Sequence, residues 1–245
     1  MNITTPSPSP SSDRRKNQSS GPQSDHAQPT AVWNAEQVRS FCSWALDIHR
    51  PWAYAWSILA RTGLRTGELL GLEWHDVDLD AGTLTIRQAL HYSKAAPHGQ
   101  RPGFKPPKHN RVRMILLDAT TRKHFAAIKE LQLNSPGTLE TERCDLVFPP
   151  SNGRSASQSA LLSAFRRDQE LYSAANPGAE LPGLTVKDLR HTHAALLFAL
   201  GADPRVVQER LGHSSLGVTC TTYAHLMTAT QQGATKWPDY LGEAV

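Results

Sequence analysis

The apolar pattern of this chain changes period twice, and that change limits the folds open to it. From Asn34 to Leu72, and again from Thr120 to Gly212, apolar residues recur at helical spacing, whereas much of the stretch HDVDLDAGTLTIRQAL alternates. Thr83, Leu84, Thr85 and Ile86 carry the alternation after the turn Asp80-Ala81-Gly82, and Arg111 to Leu117 has the same character after a Pro- and Gly-containing connection. Helices on both sides of a few short strands describe an α+β domain with a small antiparallel sheet.

The helix ends are marked. Asn34 precedes Ala35-Glu36-Gln37 as a capping box, and Val38, Phe41, Ala45 and Ile48 follow on one face until Pro51. A second helix from Trp52 to Arg61 stops at Thr62-Gly63, a third carries Glu68, Leu69, Leu70 and Leu72, and the break between them exposes Arg65. Two more are expected, Thr120 to Leu133 with Phe125, Ile128 and Leu131 on one face, and Ser157 to Ala174 with Leu161, Leu162, Phe165 and Leu171. Between them lie the apolar piece Asp145 to Pro149 and an Asn152-Gly153 turn. Thr185-Val186-Lys187-Asp188 opens a helix with the buried stripe Leu189, Leu196 and Leu200, ended by Gly201. Asp203-Pro204 then caps a short helix that closes at Gly212.

More than two-thirds of residues 1–30 are Ser, Pro, Thr, Gln, Asn or Gly, types that build no core. Residues 1–30 therefore read as a disordered Ser/Pro-rich tail and residues 31–245 as the folded part. No apolar run approaches the roughly 18 residues of a spanning helix, and no secretory h-region follows the start, so membrane and secreted classes are excluded. Cys42, Cys144 and Cys220 are odd in number and lack C-x-x-C spacing, which points away from disulfides and thiolate zinc and toward a reducing compartment, the cytoplasm.

The 26 Lys+Arg and 22 Asp+Glu give a net charge of only +4, but the average hides a segregation. From Ala81 to Leu117 there is no acid at all, while Arg87, Lys94, Arg101, Lys105, Lys108, Arg111 and Arg113 fall there. Seven like charges on one small sheet and its loop repel one another unless a polyanion supplies the counter-charge, and nucleic acid is the obvious candidate.

Polar residues sit beside helix breaks at three separated places, around Arg65, Arg190, and His213 with Tyr223. Two arginines suit a tetrahedral phosphate, because guanidinium forks grip its non-bridging oxygens and stabilise the charge that grows in a pentacoordinate transition state. The plainer readings are an Arg65–Glu68 ion pair and an Arg190 beside Asp188 on a solvated helix turn. No phosphate-cradling P-loop is present. Asp76, Asp78 and Asp80 at strand spacing read as a solvated strand edge rather than a two-metal site. His191 and His193 are two apart on a helix, where side chains diverge, so zinc is disfavoured.

The stretches ARTGLRTGELLGLEWHDVDLDAGTLTI, PPKHNRVRMILLD, LTVKDLRHTHAALLFALGADPRVVQERLGHSS and TCTTYAH resemble, in order and spacing, the catalytic domain of tyrosine recombinases of the phage integrase type, over roughly residues 35 to 228. The resemblance implies a mainly helical α+β catalytic domain with a three-stranded antiparallel sheet at one edge, its basic loop against DNA. It makes Arg65 and Arg190 the two catalytic arginines, Lys108 the hairpin lysine, His213 the residue at the family's His/Trp position, Tyr223 the nucleophile and Glu68 an acidic support. Tyr223 would attack the scissile phosphate in line, leaving a 3′-phosphotyrosyl link and a free 5′-hydroxyl, with Lys108 protonating the departing oxygen. No cofactor and no metal are implied. The implied partners are double-stranded DNA with attachment-type sites and further copies of the chain, a tetramer on DNA, with the segment from Leu226 to Val245 packing on a neighbour.

Two departures from the family pattern stand out. Lys187 occupies the position three before the second arginine where the family most often has His, and a lysine, whose side chain ordinarily titrates near pH ~10.4, is a poor proton acceptor at neutral pH. The resemblance implies an N-terminal core-binding domain before the catalytic domain, and the residues ahead of Asn34 read only as a tail, so a truncated remnant that binds DNA or a full-length partner without cutting is the alternative.

Overall fold

The computed structural model describes residues 1, 31–91, 103–107, 111–134, 145–149 and 157–231, with side chains described as far as Tyr223. Helix α1 (Ala35–Asp47) opens on the expected capping box, the Asn34 side chain accepting from Gln37 N and the Gln37 side chain accepting from Asn34 N, both at 2.9 Å. Helix α2 (Ala53–Thr62) ends at Gly63 in the left-handed region, and α3 (Thr66–Leu70) is a single turn. A 3-10 turn, Trp74–Asp76, leads into strands β1 (Val77–Asp78) and β2 (Thr83–Ile86). Then come β3 (Ala89–His91), β4 (Gly103–Lys105) and β5 (Arg113–Leu116), followed by α4 (Ala119–Leu133) and α5 (Gln158–Ala175). The last helices are α6 (Val186–Ala199), α7 (Pro204–Leu211) and α8 (Leu216–Gln231).

The expected three-stranded sheet is antiparallel, in the order β1-β2-β5, with Val77 opposite Leu84 and Ile86 opposite Arg113. Its inner face buries Leu84, Ile86 and Ile115. A second antiparallel pair, β3–β4, has no counterpart in the sequence pattern, because strands of three residues are too short to show an alternation. It lies on α3, where a Cβ on Gly67 would stand 2.8 Å from the Leu90 carbonyl oxygen.

The main core is aromatic at one end. Trp33, Phe41, Trp56 and Phe165 are buried together, and the buried Asp168 accepts from Arg50 Nε at 2.6 Å and Trp56 Nε1 at 2.9 Å. A second, smaller cluster joins Ala194, Phe198, Val207, Leu211 and Tyr223 between α6, α7 and α8.

Several apolar residues expected inside are outside. Ile48, Leu131, Leu162, Leu171 and Leu200 are all well exposed. The inward stripe of α5 is Leu161, Phe165, Asp168 and Tyr172, which leaves no place for Leu162 or Leu171, and Ile48 and Leu200 are C-caps, beyond the last helical turn. Of the aspartate triple, Asp78 and Asp80 are exposed at the β1 edge as expected, but Asp76 is not. Asp76 is buried with its Oδ1 2.7 Å from Arg87 Nε, while Asp78 closes the turn by accepting from the backbone N–H of Asp80 and Ala81. Among the described residues, no helix is long and apolar enough to cross a membrane.

Candidate active site

Two helix ends organise the site. At Gly63 (φ 66) a Cβ would lie 2.6 Å from Leu211 Cδ2 and 2.7 Å from His193 Cδ2, so the chain can turn there only as glycine. The freed Gly63 carbonyl accepts from Arg190 Nη1 at 2.7 Å, and the Leu211 carbonyl accepts from Arg190 Nη2. Helix α7 ends likewise at Gly212 (φ 66), whose carbonyl accepts from Arg65 Nη2 at 3.4 Å. The carbonyl ends of α2 and α7, where the helix dipole is negative, thus hold both arginines. Two residues past Gly63 comes Arg65, and one past Gly212 comes His213.

Arg65 and Glu68 do form an ion pair, Nη1 to Oε1 at 2.8 Å, with the Arg65 backbone N–H on Oε2 at 2.9 Å. Arg190, however, is buried, and Asp188 is turned to Thr185 in a capping box, so this is no solvated turn. Burial and the charge of Arg65 bring the Arg190 pKa down to about 9, which leaves it cationic at neutral pH.

Tyr223 sits where α8 departs from helical geometry (φ −118, ψ 18). Its ring packs between His191 and Phe198, seven apart on α6, and against His213, whose ring is 6.4 Å away and nearly parallel at 11°. The phenol shares a 3.0 Å hydrogen bond with His191 Nδ1. Burial raises the Tyr223 pKa to about 12 against the pull of Arg190. His213 Nδ1 bonds the buried Thr219 hydroxyl at 2.8 Å, and burial together with Arg190, Arg65, His191 and Arg113 drops its pKa to about 4, so it is neutral at pH 7.

The structure thus brings Arg65, Arg190, His213 and Tyr223 into one cluster from four segments separated in sequence. Lys187 is exposed in the first turn of α6, one turn before His191. Lys108 lies outside the described residues.

The family model of the phage integrase family matches residues 34–230. The chain belongs to the phage integrase family. It is 26% identical over 204 residues to the ICEBs1 integrase of Bacillus subtilis (strain 168), covering 82% of this chain and 52% of that protein. To the tyrosine recombinase XerD of Proteus mirabilis it is 27% identical over 171 residues, 70% of this chain and 46% of the relative. It spans about half the length of these relatives. Among solved structures, the Tn1549 transposon integrase in complex with transposon right end DNA has the same fold, with a TM-score of 0.72 at 23% identity over 87% of this chain and 68% of that one. The catalytic domain of bacteriophage HP1 integrase matches at a TM-score of 0.51 and 17% identity, covering 88% of this chain and 99% of its own.

Within this integrase-family fold, sequence reasoning missed four supporting residues. Arg113 donates from Nη1 and Nη2 to the two Glu68 oxygens, and His191, Thr219 and Arg210 bond Tyr223, His213 and His193. The acid-free stretch did signal Arg113, but as part of a DNA-facing surface. Arg113 is in fact tied to Glu68 and Arg87 to Asp76, so two of the seven cations already have protein counter-charges. Glu73, His75 and Asp76 are the one described trio with donor atoms close enough for a metal, within 4.8 Å. Arg87 already faces the Asp76 carboxylate, and none of the trio belongs to the Tyr223 cluster.

Proposed function

We propose that this chain is the DNA-cleaving domain of a tyrosine-type site-specific recombinase, acting by strand breakage and rejoining through a 3′-phosphotyrosyl intermediate. The observation that carries the reading is the convergence of Tyr223 with Arg65, Arg190 and His213. Two guanidinium groups fixed on helix-end carbonyls are set to hold non-bridging phosphate oxygens without reorganising, which stabilises the pentacoordinate transition state. Neutral His213 is able to donate a hydrogen bond to the same phosphate. Lys108 protonates the leaving 5′-oxygen and Lys187 contacts phosphate in this scheme. Residues 31–245 make up the catalytic domain and residues 1–30 a tail. The substrate is duplex DNA in the cytoplasm, bound by a tetramer of copies.

The test is a pool of end-labelled nicked duplexes randomised around the nick. The expected product is a denaturation-resistant protein–DNA adduct that Tyr223→Phe abolishes. An adduct that survives Tyr223→Phe refutes the assignment. Salt-dependent duplex binding with no adduct from the wild type supports instead a remnant that occupies DNA without cutting.

A further inference from the structure

We infer that His191 is the catalytic base that takes the Tyr223 proton during strand cleavage, an assignment that rests on the recombinase reading above. Its Nδ1 stands 3.0 Å from the phenol oxygen, within range for direct transfer. The rings are tilted by 56° with centroids 5.7 Å apart, so the imidazole meets the tyrosine with a nitrogen rather than stacking on it.

The other polar groups of the cluster are unsuited to the task. Arg190 has no acceptor atom, and its two terminal nitrogens already donate to Gly63 and Leu211. His213 lies nearly parallel to the Tyr223 ring and spends Nδ1 on Thr219. Lys187 is exposed in the first turn of α6, outside the contact that Tyr223 makes with His191.

The groups that bear on His191 are Lys187, Asp188 and Arg190 on its own helix, Tyr223 on α8, and His213 after α7. Burial holds its pKa below the ordinary histidine value, Asp188 opposing and Lys187 and Arg190 reinforcing, so at pH 7 the ring is neutral. With its proton on Nε2, Nδ1 has the lone pair a base needs. A phenol of pKa about 12 does not ionise beforehand, so transfer accompanies attack. The Oη–H bond breaks toward Nδ1, the Oη–P bond forms, the P–O5′ bond breaks, and the 5′-oxygen takes a proton from Lys108.

The experiment uses the full chain and a nicked duplex recovered from the randomised pool by wild-type adduct formation. Single-turnover adduct rates are measured from pH 5 to 10 for wild type, His191→Ala and His191→Asn, with melting and duplex retention as folding controls. The wild-type rate is expected to fall on an acid limb that coincides with the His191 titration followed by NMR. His191→Ala is expected to lose about 10²–10⁴-fold at pH 7, to climb about tenfold per pH unit, and to recover in part with added imidazole. His191→Asn, which keeps a hydrogen-bonding atom toward the phenol but is no base, stays slow. With a 5′-bridging phosphorothiolate, whose sulfur leaves without a proton, Lys108→Ala recovers and His191→Ala does not.

A wild-type rate in His191→Asn, an unchanged pH profile in His191→Ala, or an acid limb displaced from the His191 titration overturns the assignment while the recombinase reading stands. Should His191→Ala not fold, the wild-type limb and His191→Asn decide alone. No wild-type adduct, or one that survives Tyr223→Phe, overturns both.

Discussion

Arg113 grips both carboxylate oxygens of Glu68, Nη1 at 3.0 Å from Oε1 and Nη2 at 2.7 Å from Oε2. Glu68 is 1% exposed, and it also holds Arg65. Strand β5 therefore fixes the first arginine of the site through a buried carboxylate, and Arg113 Nε adds a bond to the Arg210 carbonyl at 2.9 Å.

Removing the fork takes from the buried Glu68 carboxylate the partner that grips both its oxygens and leaves it the Arg65 contacts. Arg113→Ala is expected to destabilise the fold by about 3–5 kcal/mol, read as a fall in the urea midpoint. Arg113→Lys is expected to recover little, since an ammonium cannot bridge both oxygens. Adduct formation should fall further than the unfolded fraction explains, because the carboxylate that holds Arg65 is no longer fixed by strand β5.

The same carboxylate gives an acid signature. Burial alone would raise the Glu68 pKa, but the bonds and charges of Arg113 and Arg65 bring it to about 2 from 4.5. A depressed carboxylate stabilises the fold fully above its unfolded value and ceases to as pH falls through its folded one. The stability gap between wild type and Glu68→Gln should be constant above about pH 4.5, shrink below it and vanish near pH 2. Urea unfolding at fixed pH steps checks this, and a flat gap down to pH 2 would sink it.

Local signals foretold what local chemistry controls. The Asn34 and Asp203 caps, the helix stops at Gly63 and Gly212 and the β1–β2 turn are each settled by a few adjacent residues. Arg65, Arg190, His213 and Tyr223, which the structure brings together as the candidate site, could be named from the sequence because motif order carries them. What lay hidden was long-range pairing: Arg113 with Glu68 is 45 residues apart, Arg190 with Gly63 is 127, and no pattern around either partner names the other. Charge was misleading for a related reason. A cation in an acid-free segment looks unpaired until folding brings Glu68 or Asp76 against it.

Gly63 and Gly201 separate backbone strain from crowding. Both have positive φ, but a Cβ at Gly201 meets nothing within 4 Å, whereas at Gly63 it strikes Leu211 and His193. Gly201→Ala should cost about 1–2 kcal/mol, the left-handed penalty alone. Gly63→Ala should cost more and slow adduct formation, since the displaced carbonyl holds Arg190. Equal unfolding midpoints for the two variants would contradict the crowding.

His193 sets the stability window just above that of Glu68. Its ring is buried, Nδ1 bonded to the Ala60 carbonyl at 3.0 Å and Nε2 accepting from Arg210 Nε at 3.0 Å. Adding a proton to Nε2 would set it against that donor and desolvate a charge. Burial first, and then the Arg210 charge, lower the pKa to about 3 from 6.5. The unfolded state therefore takes up a proton that the folded state refuses, so this contribution is full above pH 6.5 and is lost as pH falls toward about 3. At ~1.4 kcal/mol per pH unit, His193 alone should remove about 2–3 kcal/mol between pH 6.5 and 4.5, before Glu68 begins to titrate. His193→Gln, which does not titrate, should be less stable than wild type at pH 7 yet decline less steeply across that interval, so that the two unfolding curves converge. Parallel curves from pH 7 to 4.5 would show that His193 is protonated in the folded state and that the Arg210 contact does not keep it neutral.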